Sequence, residues 1–293
     1  MTHSPLSASA RLLLRGNRTQ VLLPNRGEPL VRKELLPFAD VSSERRALWR
    51  EGYLQHLVRG PGVVAIVGGI RPDGQRCGPP NQESGQLRAL ERRYVVGATL
   101  RELSREPARA ELVARSALDW TRRLLLVLAR LHDARDAEGR RLGFIHRDVT
   151  ADNVLIDEAD GVWLNDFGLA HLTFGPPLDD GQLLMGARNA LAPEVLAGQQ
   201  PDALTDVYQA ALLCVRLLAA RRPLDATSAA DSTPSTPSSA SSPSSPGSSS
   251  SPSADELLAW CQANAELPPL LVSALSPERF RRPSAAELAR ALS

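Results

Sequence analysis

The chain has 293 residues, of which 43% are apolar, enough to bury a sizeable core in one large domain or two lobes. A formal net charge of +1, with the arginines interleaved among Asp and Glu, gives no field that would draw nucleic acid or an anionic membrane, so neither is expected as a partner. Cys77, Cys214 and Cys261 are far apart and lack metal-ligand spacing, no run reaches the ~18 uninterrupted apolar residues that span a bilayer, and the first residues do not read as a secretory leader, so a cytoplasmic protein is expected.

Up to about Val96 the chain carries short strand-like apolar runs broken by Gly, Pro and Asn: "RLLLRG", "TQVLLP", "PLVRKELL", "GVVAIVGGI" and "QLRALERRYVV". One helical candidate lies among them, "SSERRALWREGYLQHLV", with Ser42 or Ser43 available as N-cap. The third run holds Lys33, the one lysine among 34 basic residues. A chain that meets almost every need for positive charge with Arg keeps this ammonium either by chance or because a compact point charge does what a planar guanidinium fork cannot.

From Thr99 onward helices dominate. Ala110 to Ala134 forms a long one, with Leu112, Leu118, Leu124, Leu125, Leu128 and Leu131 recurring near helical spacing as a core face. "NVLIDEADGVWLND" follows, where Asp160-Gly161 marks a hairpin turn. Ala226 to Ala254 departs from the rest, with fourteen serines and five prolines in 29 residues, too few apolar groups to offset the entropy of ordering it. Apolar helical stretches flank it, so a disordered insertion within one domain is expected.

The chemistry gathers between His146 and Gly168. In "HRDVTADNVL", Asp148 and Asn153 share one loop, and Asp166 follows in "DFG" beside the hairpin. A proton-accepting carboxylate, an amide oxygen and a second carboxylate make a hard-oxygen site suited to magnesium and a phosphate donor. The ordered set H-R-D-x-x-x-x-N, D-F-G, "APE" at Ala192 to Glu194, "DVY" at Asp206 to Tyr208 and "RRPSAAEL" from Arg281 resembles the eukaryotic-type protein kinase family, in particular bacterial serine/threonine kinases.

That resemblance implies an α+β bilobal fold, with a small antiparallel sheet lobe carrying one helix over residues 1–97 and a larger, mainly helical lobe over 98–293, interrupted at 226–254. It implies ATP and Mg2+ as cofactors and a protein as substrate. ATP would lie between the lobes against Leu14, Gly16, Val21 and Val31, its adenine on the backbone around Tyr94 and Val95 with Leu155 beneath. Lys33 would contact the phosphates, held by Glu51 eighteen residues later on the small-lobe helix. Glu44 lies too soon after Lys33 for that role. Asp148 would take the acceptor proton, Asn153 and Asp166 would hold the metal, and Phe167 and Gly168 complete the motif. Glu194 would pair with Arg282, and Asp206 would brace the catalytic-loop backbone.

Departures from the family pattern leave alternatives open. Leu14, Gly16 and Thr19 align with the three glycines of the family's phosphate loop, so one survives. Thr150 and Ala187 replace the lysine and threonine usual in serine/threonine-directed members. Gln55 stands where an apolar residue is usual. A pseudokinase signalling by conformation and a small-molecule kinase therefore remain beside the protein kinase reading. Arg147 marks members in which a phosphorylated loop residue fills a basic pocket; here either Asp179 or Asp180 stands in for the phosphate, or both are solvated residues of a turn marked by Pro-Pro and Asp-Gly. Without a sensor segment in view, input through a regulatory partner protein is expected. The Ser/Pro-rich segment generates one prediction: deleting Thr227 to Ser253 leaves the thermal unfolding midpoint nearly unchanged in calorimetry, because loop closure costs grow only logarithmically with length.

Overall fold

The computed structural model describes residues 10–24, 29–81, 85–174, 191–219 and 254–293. Asp179, Asp180, Ala187 and all but the last residue of the Ser/Pro-rich segment lie outside them. That last residue, Ala254, opens a helix rather than belonging to the insertion. No helix among the described residues is long and apolar enough to cross a membrane.

The short apolar runs form a six-stranded antiparallel sheet from β1 (Ala10–Arg15), β2 (Thr19–Pro24), β3 (Leu30–Leu35), β4 (Ile66–Ile70), β5 (Arg76–Cys77) and β6 (Ala89–Arg93), ordered β1-β2-β3-β6-β4-β5. β5 is two residues long and carries no pattern that sequence reading could detect. Register fixes the two faces, because side chains alternate along a strand and cross-strand partners share a side. Val21 opposes Lys33, Lys33 opposes Leu90, and Val31 opposes Arg92, which sets these residues with Leu14 on one face. On the other face, Leu22 opposes Arg32 and Arg32 opposes Glu91. Glu91 is buried there beneath two arginines, accepting from Arg32 Nη2 at 2.7 Å and Arg76 Nη2 at 2.7 Å.

One helix packs on the sheet, α1 (Ser42–Leu57), burying Leu48, Glu51, Tyr53, Leu54 and Gln55. Leu35, Leu48, Ile66, Leu87 and Leu90 form the small core between them. The expected serine cap is not used: Val41 occupies the N-cap without a side-chain bond, and Ser42 and Ser43 fall in the first turn. A tight single turn over Pro37–Ala39 feeds the helix one residue early, which moves the boundary ahead of both serines.

Beyond the sheet come β7 (Gly97–Thr99), α2 (Leu100–Arg105), α3 (Ala110–His132), β8 (Phe144–Ile145), β9 (Val154–Asp157), β10 (Val162–Leu164), β11 (His171–Leu172), α4 (Pro193–Leu196), α5 (Ala203–Ala219), α6 (Ala254–Ala263), α7 (Pro269–Ala274) and α8 (Ala285–Ala291). Thr99 and Glu102 close a capping box on α2, and Ser284 and Glu287 do the same on α8. α5 is buried on nearly every side and α3 lies against it, their apolar faces making the main core. The buried stripe of α3 runs Val113, Ala117, Trp120, Leu124, Leu128 and Leu131; Leu112, expected on it, sits one residue off the stripe and is exposed. The hairpin at Asp160-Gly161 pairs β9 with β10, Asp160 taking φ 61° while Asp157 accepts from the amides of Ala159 and Gly161 and from Trp163 Nε1. The architecture is that of two lobes, sheet above and helices below.

The chain crosses between them once, after β6, and a second joint is made by contact alone. Tyr94 N donates to Pro29 O in the upper sheet, and Glu158 N donates to Val96 O from below. β7 then joins β9, with Gly97 opposite Asp157. At the second joint Val63 bridges Leu164, Leu164 N donates to Gly62 O at 2.7 Å, and Arg130 on α3 donates to the carbonyls of Val58 and Pro61. Gly97 fits the crossing only without a side chain: a Cβ there would come within 2.0 Å of Ile156 O. Gly97→Ala therefore forces β7 off β9 and is expected to cost about 1–3 kcal/mol, as overpacking does, read as a fall in the urea midpoint at unchanged m.

Candidate active site

A buried carboxylate at the start of α5 organises the loop that carries Asp148. Asp206 accepts from the amide of His146 at 2.8 Å with Oδ2 and from that of Arg147 at 2.8 Å with Oδ1, while His132 Nε2 lies 2.9 Å from Oδ2. Gln209, one turn further on the same helix, accepts from Val149 N and donates to Arg147 O, both at 3.0 Å. Four backbone groups of a non-repeating loop are thus satisfied by one helix, and Arg147 is held at φ 67°, a conformation non-glycine residues seldom take. Gln209 was not foreseen; it lies three residues from Asp206 on the same helical face, a placement that gains meaning only once the loop it bonds is in position.

Within that loop Asn153 Nδ2 donates to Asp148 Oδ2 at 2.7 Å and to Asp148 O at 2.9 Å. The amide nitrogen is spent on Asp148, leaving the amide oxygen as the atom able to meet a cation. Burial pushes the Asp148 carboxyl above its ordinary range; His146 and the Asn153 hydrogen bond oppose that, and Asp166 reinforces it. His146 is buried, its titration pushed down by desolvation, and its ring meets Phe167 edge-on at 4.7 Å. Phe167 is fully buried and also meets Phe144.

Asp166 sits at φ 56° just before Phe167 and accepts from Gly168 N at 3.1 Å. Its Oδ2 lies 2.9 Å from Lys33 Nζ, and Lys33 Nζ lies 2.9 Å from each oxygen of Glu51. The sheet, α1 and the segment after β10 therefore meet at one ammonium. Burial works to raise the Asp166 carboxyl, but the charges of Lys33 and Arg92 and the bonds from Lys33 and Gly168 outweigh it and hold it well below the ordinary carboxylate range. Burial lowers the Lys33 ammonium, with Arg92 adding to that and Asp166 opposing. The Asn153 amide oxygen and the Asp166 carboxylate, on segments joined by the bond from Asn165 N to Asn153 O at 2.9 Å, are a donor set that fits a hard divalent cation sharing its remaining positions with phosphate and water.

Arg92 was not singled out from the sequence. It lies on β6, is buried, and its Nη2 donates to Glu51 Oε1 beside Lys33. Glu44 pairs with Arg18 instead, away from Lys33. Gln55, the polar departure on α1, is fully buried and donates to Val64 O at 2.7 Å, so its amide ties the helix to the chain before β4. Arg50 on α1 reaches the carbonyls of Gly168 and Ala170. Arg147 Nε donates to Leu169 O at 2.5 Å.

Of the expected nucleotide-contacting residues, Val21, Val31 and Lys33 share the inner sheet face, and Leu14 is exposed at its edge. Gly16 closes the β1–β2 turn, its amide donating to Thr19 O at 2.8 Å, and a Cβ there would meet nothing closer than 3.5 Å. Tyr94 and Val95 lie at the crossing, and Leu155 on β9 stands opposite Thr99 and Trp163. Further below, Arg282 clasps Glu194 with two parallel bonds of 2.9 and 2.8 Å, assisted by Thr205 Oγ1 at 2.8 Å, and stacks over Tyr208 at 4.7 Å.

Residues 16–291 match the protein kinase domain, and the chain belongs to that family. It is 31% identical over 133 residues to a probable serine/threonine-protein kinase of Bifidobacterium longum, covering 45% of this chain and 16% of that protein. It is 31% identical over 135 residues to the serine/threonine-protein kinase PknL of Mycobacterium tuberculosis, covering 46% of this chain and 31% of PknL. A probable serine/threonine-protein kinase of Streptomyces coelicolor is 32% identical over 132 residues, covering 44% of this chain and 18% of that protein. The aligned stretches thus span less than a third of these relatives' length.

The Glu194–Arg282 clasp yields a stability prediction. Burial would raise the Glu194 carboxyl, but the bonds from Arg282, the backbone and Thr205 hold it below its ordinary value. A depressed folded pKa contributes stability above the unfolded pKa that is lost as pH falls through the folded one. Arg282→Met leaves that carboxylate buried without its cation and is expected to cost about 3–5 kcal/mol in urea unfolding at neutral pH. The deficit narrows in acid, once Glu194 is protonated in both proteins.

Proposed function

We propose that this chain is an ATP-dependent protein serine/threonine kinase. The observation that carries the reading is the assembled set: Lys33 closed on Glu51 and Asp166, with Asp148 and Asn153 bonded to one another in the adjoining loop. The serine/threonine preference is supported by the names of the relatives.

Lys33 and the inner sheet face bind the triphosphate, with adenine on the backbone of Tyr94 and Val95 above Leu155. Asp148 receives the proton of the acceptor hydroxyl as that hydroxyl's oxygen bonds to the γ-phosphorus and the bond to the ADP oxygen breaks. Its raised pKa makes it the better proton acceptor of the two aspartates. Asn153 and Asp166 would hold Mg2+, which supplies charge neutralisation at the phosphates when bound. Glu194 and Arg282 fix the floor on which the protein substrate lies. The small lobe ends near residue 97, where the chain pairs with β9. A cytoplasmic location suits the three free cysteines, of which Cys214 is pushed up to about 12 by burial and is inert.

A pseudokinase would also keep this fold, but the Lys33, Glu51 and Asp166 contacts favour the enzyme. With magnesium and labelled ATP, the wild-type chain is expected to transfer phosphate to itself and to generic protein substrates, and Asp148→Asn to lose that transfer. Lys33→Arg is also expected to abolish it with the melting curve unchanged, because the fork cannot reproduce the point charge. An inactive wild type, or full turnover in Asp148→Asn, overturns the reading.

A further inference from the structure

Glu51 is held by two cations, and only one of them belongs to the residues read from the motifs. Arg92 Nη2 donates to Oε1, the same oxygen that accepts from Lys33 Nζ, and the Arg92 and Glu51 side chains are 5% and 6% exposed. Arg92 projects from β6, the strand beside β3, on the same sheet face as Lys33, so both approach α1 from one side. Its Nε is buried with no hydrogen-bond partner among the described residues, and Glu51 is the carboxylate its guanidinium bonds.

We propose that Arg92 is a positioning residue: the standing partner of Glu51, it keeps α1 seated against the sheet and leaves Lys33 free for Asp166 and the nucleotide. The proposal deepens the kinase reading and rests on it for the role of Lys33. Lys33 alone would have to divide its three protons between Glu51 and Asp166, and turning them toward phosphate would uncover a buried carboxylate. With Arg92 present, the site holds two cations against two carboxylates, and Glu51 stays neutralised whichever way the ammonium points. Moving α1 outward would instead strand a buried guanidinium, an outcome as unfavourable as stranding the carboxylate. Gln55 on Val64 O, and Arg50 on Gly168 O and Ala170 O, are further ties of the same helix. The position of α1 is thereby fixed from a second strand, β6, and does not depend on the lysine of β3 alone.

Hydrogen exchange on the full chain without nucleotide tests this independently of catalysis, with the amides of α3 as the control for global folding. Lys33→Met is expected to leave exchange in α1 within about twofold of wild type, whereas Arg92→Met raises it about tenfold or more with α3 unchanged, and Arg92→Lys restores most of the protection. In steady-state kinetics Arg92→Met is expected to lower kcat about tenfold while KM for ATP moves by less than about threefold, because Arg92 acts through Glu51 and not on the nucleotide. Release of α1 by Lys33→Met overturns the proposal, as does an Arg92→Met variant with unaltered α1 exchange. Should Arg92→Met expose α3 as well, the Lys33→Met arm decides alone: protection retained supports the proposal, protection lost ends it. An inactive wild type would sink the kinase reading and leave the exchange result standing.

Discussion

The carboxylate of Asp206 is the constraint from which the lower half of the site follows. It is fully buried, and every bond it makes goes to the loop before Asp148 or to the helix that carries His132. A loop with a left-handed Arg147 has no ladder to satisfy its amides, so the positions of Asp148 and Asn153 depend on this one acceptor and on Gln209 below it. α5 can serve as that support because it is buried on nearly all sides and cannot shift without disturbing the main core.

The upper half rests on charge instead of on a loop anchor. The sheet face toward α1 presents Lys33 and Arg92 to a single glutamate, and the opposite face encloses Glu91 between Arg32 and Arg76. In a small lobe with a core of few large side chains, such pairs specify how strands and helix align, since each buried carboxylate has only one arrangement in which it is neutralised. Arginine fills all of these positions except one. The guanidinium fork suits fixed, two-bond pairs, and the exception is the position where a single ammonium touches two carboxylates of different elements.

Much of this was legible in the sequence. The spacing of Asp148, Asn153 and Asp166, the alternation of the long strands, the Asp160-Gly161 turn and the distance from Lys33 to Glu51 are local patterns, and the structure brings those residues together. Short strands such as β5, β8 and β11 were not legible, because a two-residue strand exists only through its partner. Arg92 and Gln209 were missed for a related reason: an arginine in an arginine-rich chain and a glutamine on an apolar helix say nothing until their partners, 41 and 60 residues away, are in place. Leu112 and the two serines at the start of α1 failed at element edges, where one residue of phase decides between a buried face and solvent.

The two joints between the lobes differ in kind. Tyr94 is tied upward to Pro29 and Val96 downward to Glu158, which leaves Val95 as the one link between those anchors. At the other joint the chain is fastened on both sides of Val63, by Gly62 and Val64 to Leu164. One joint is covalent and the other is a pair of backbone hydrogen bonds, so only the second can open without breaking the chain.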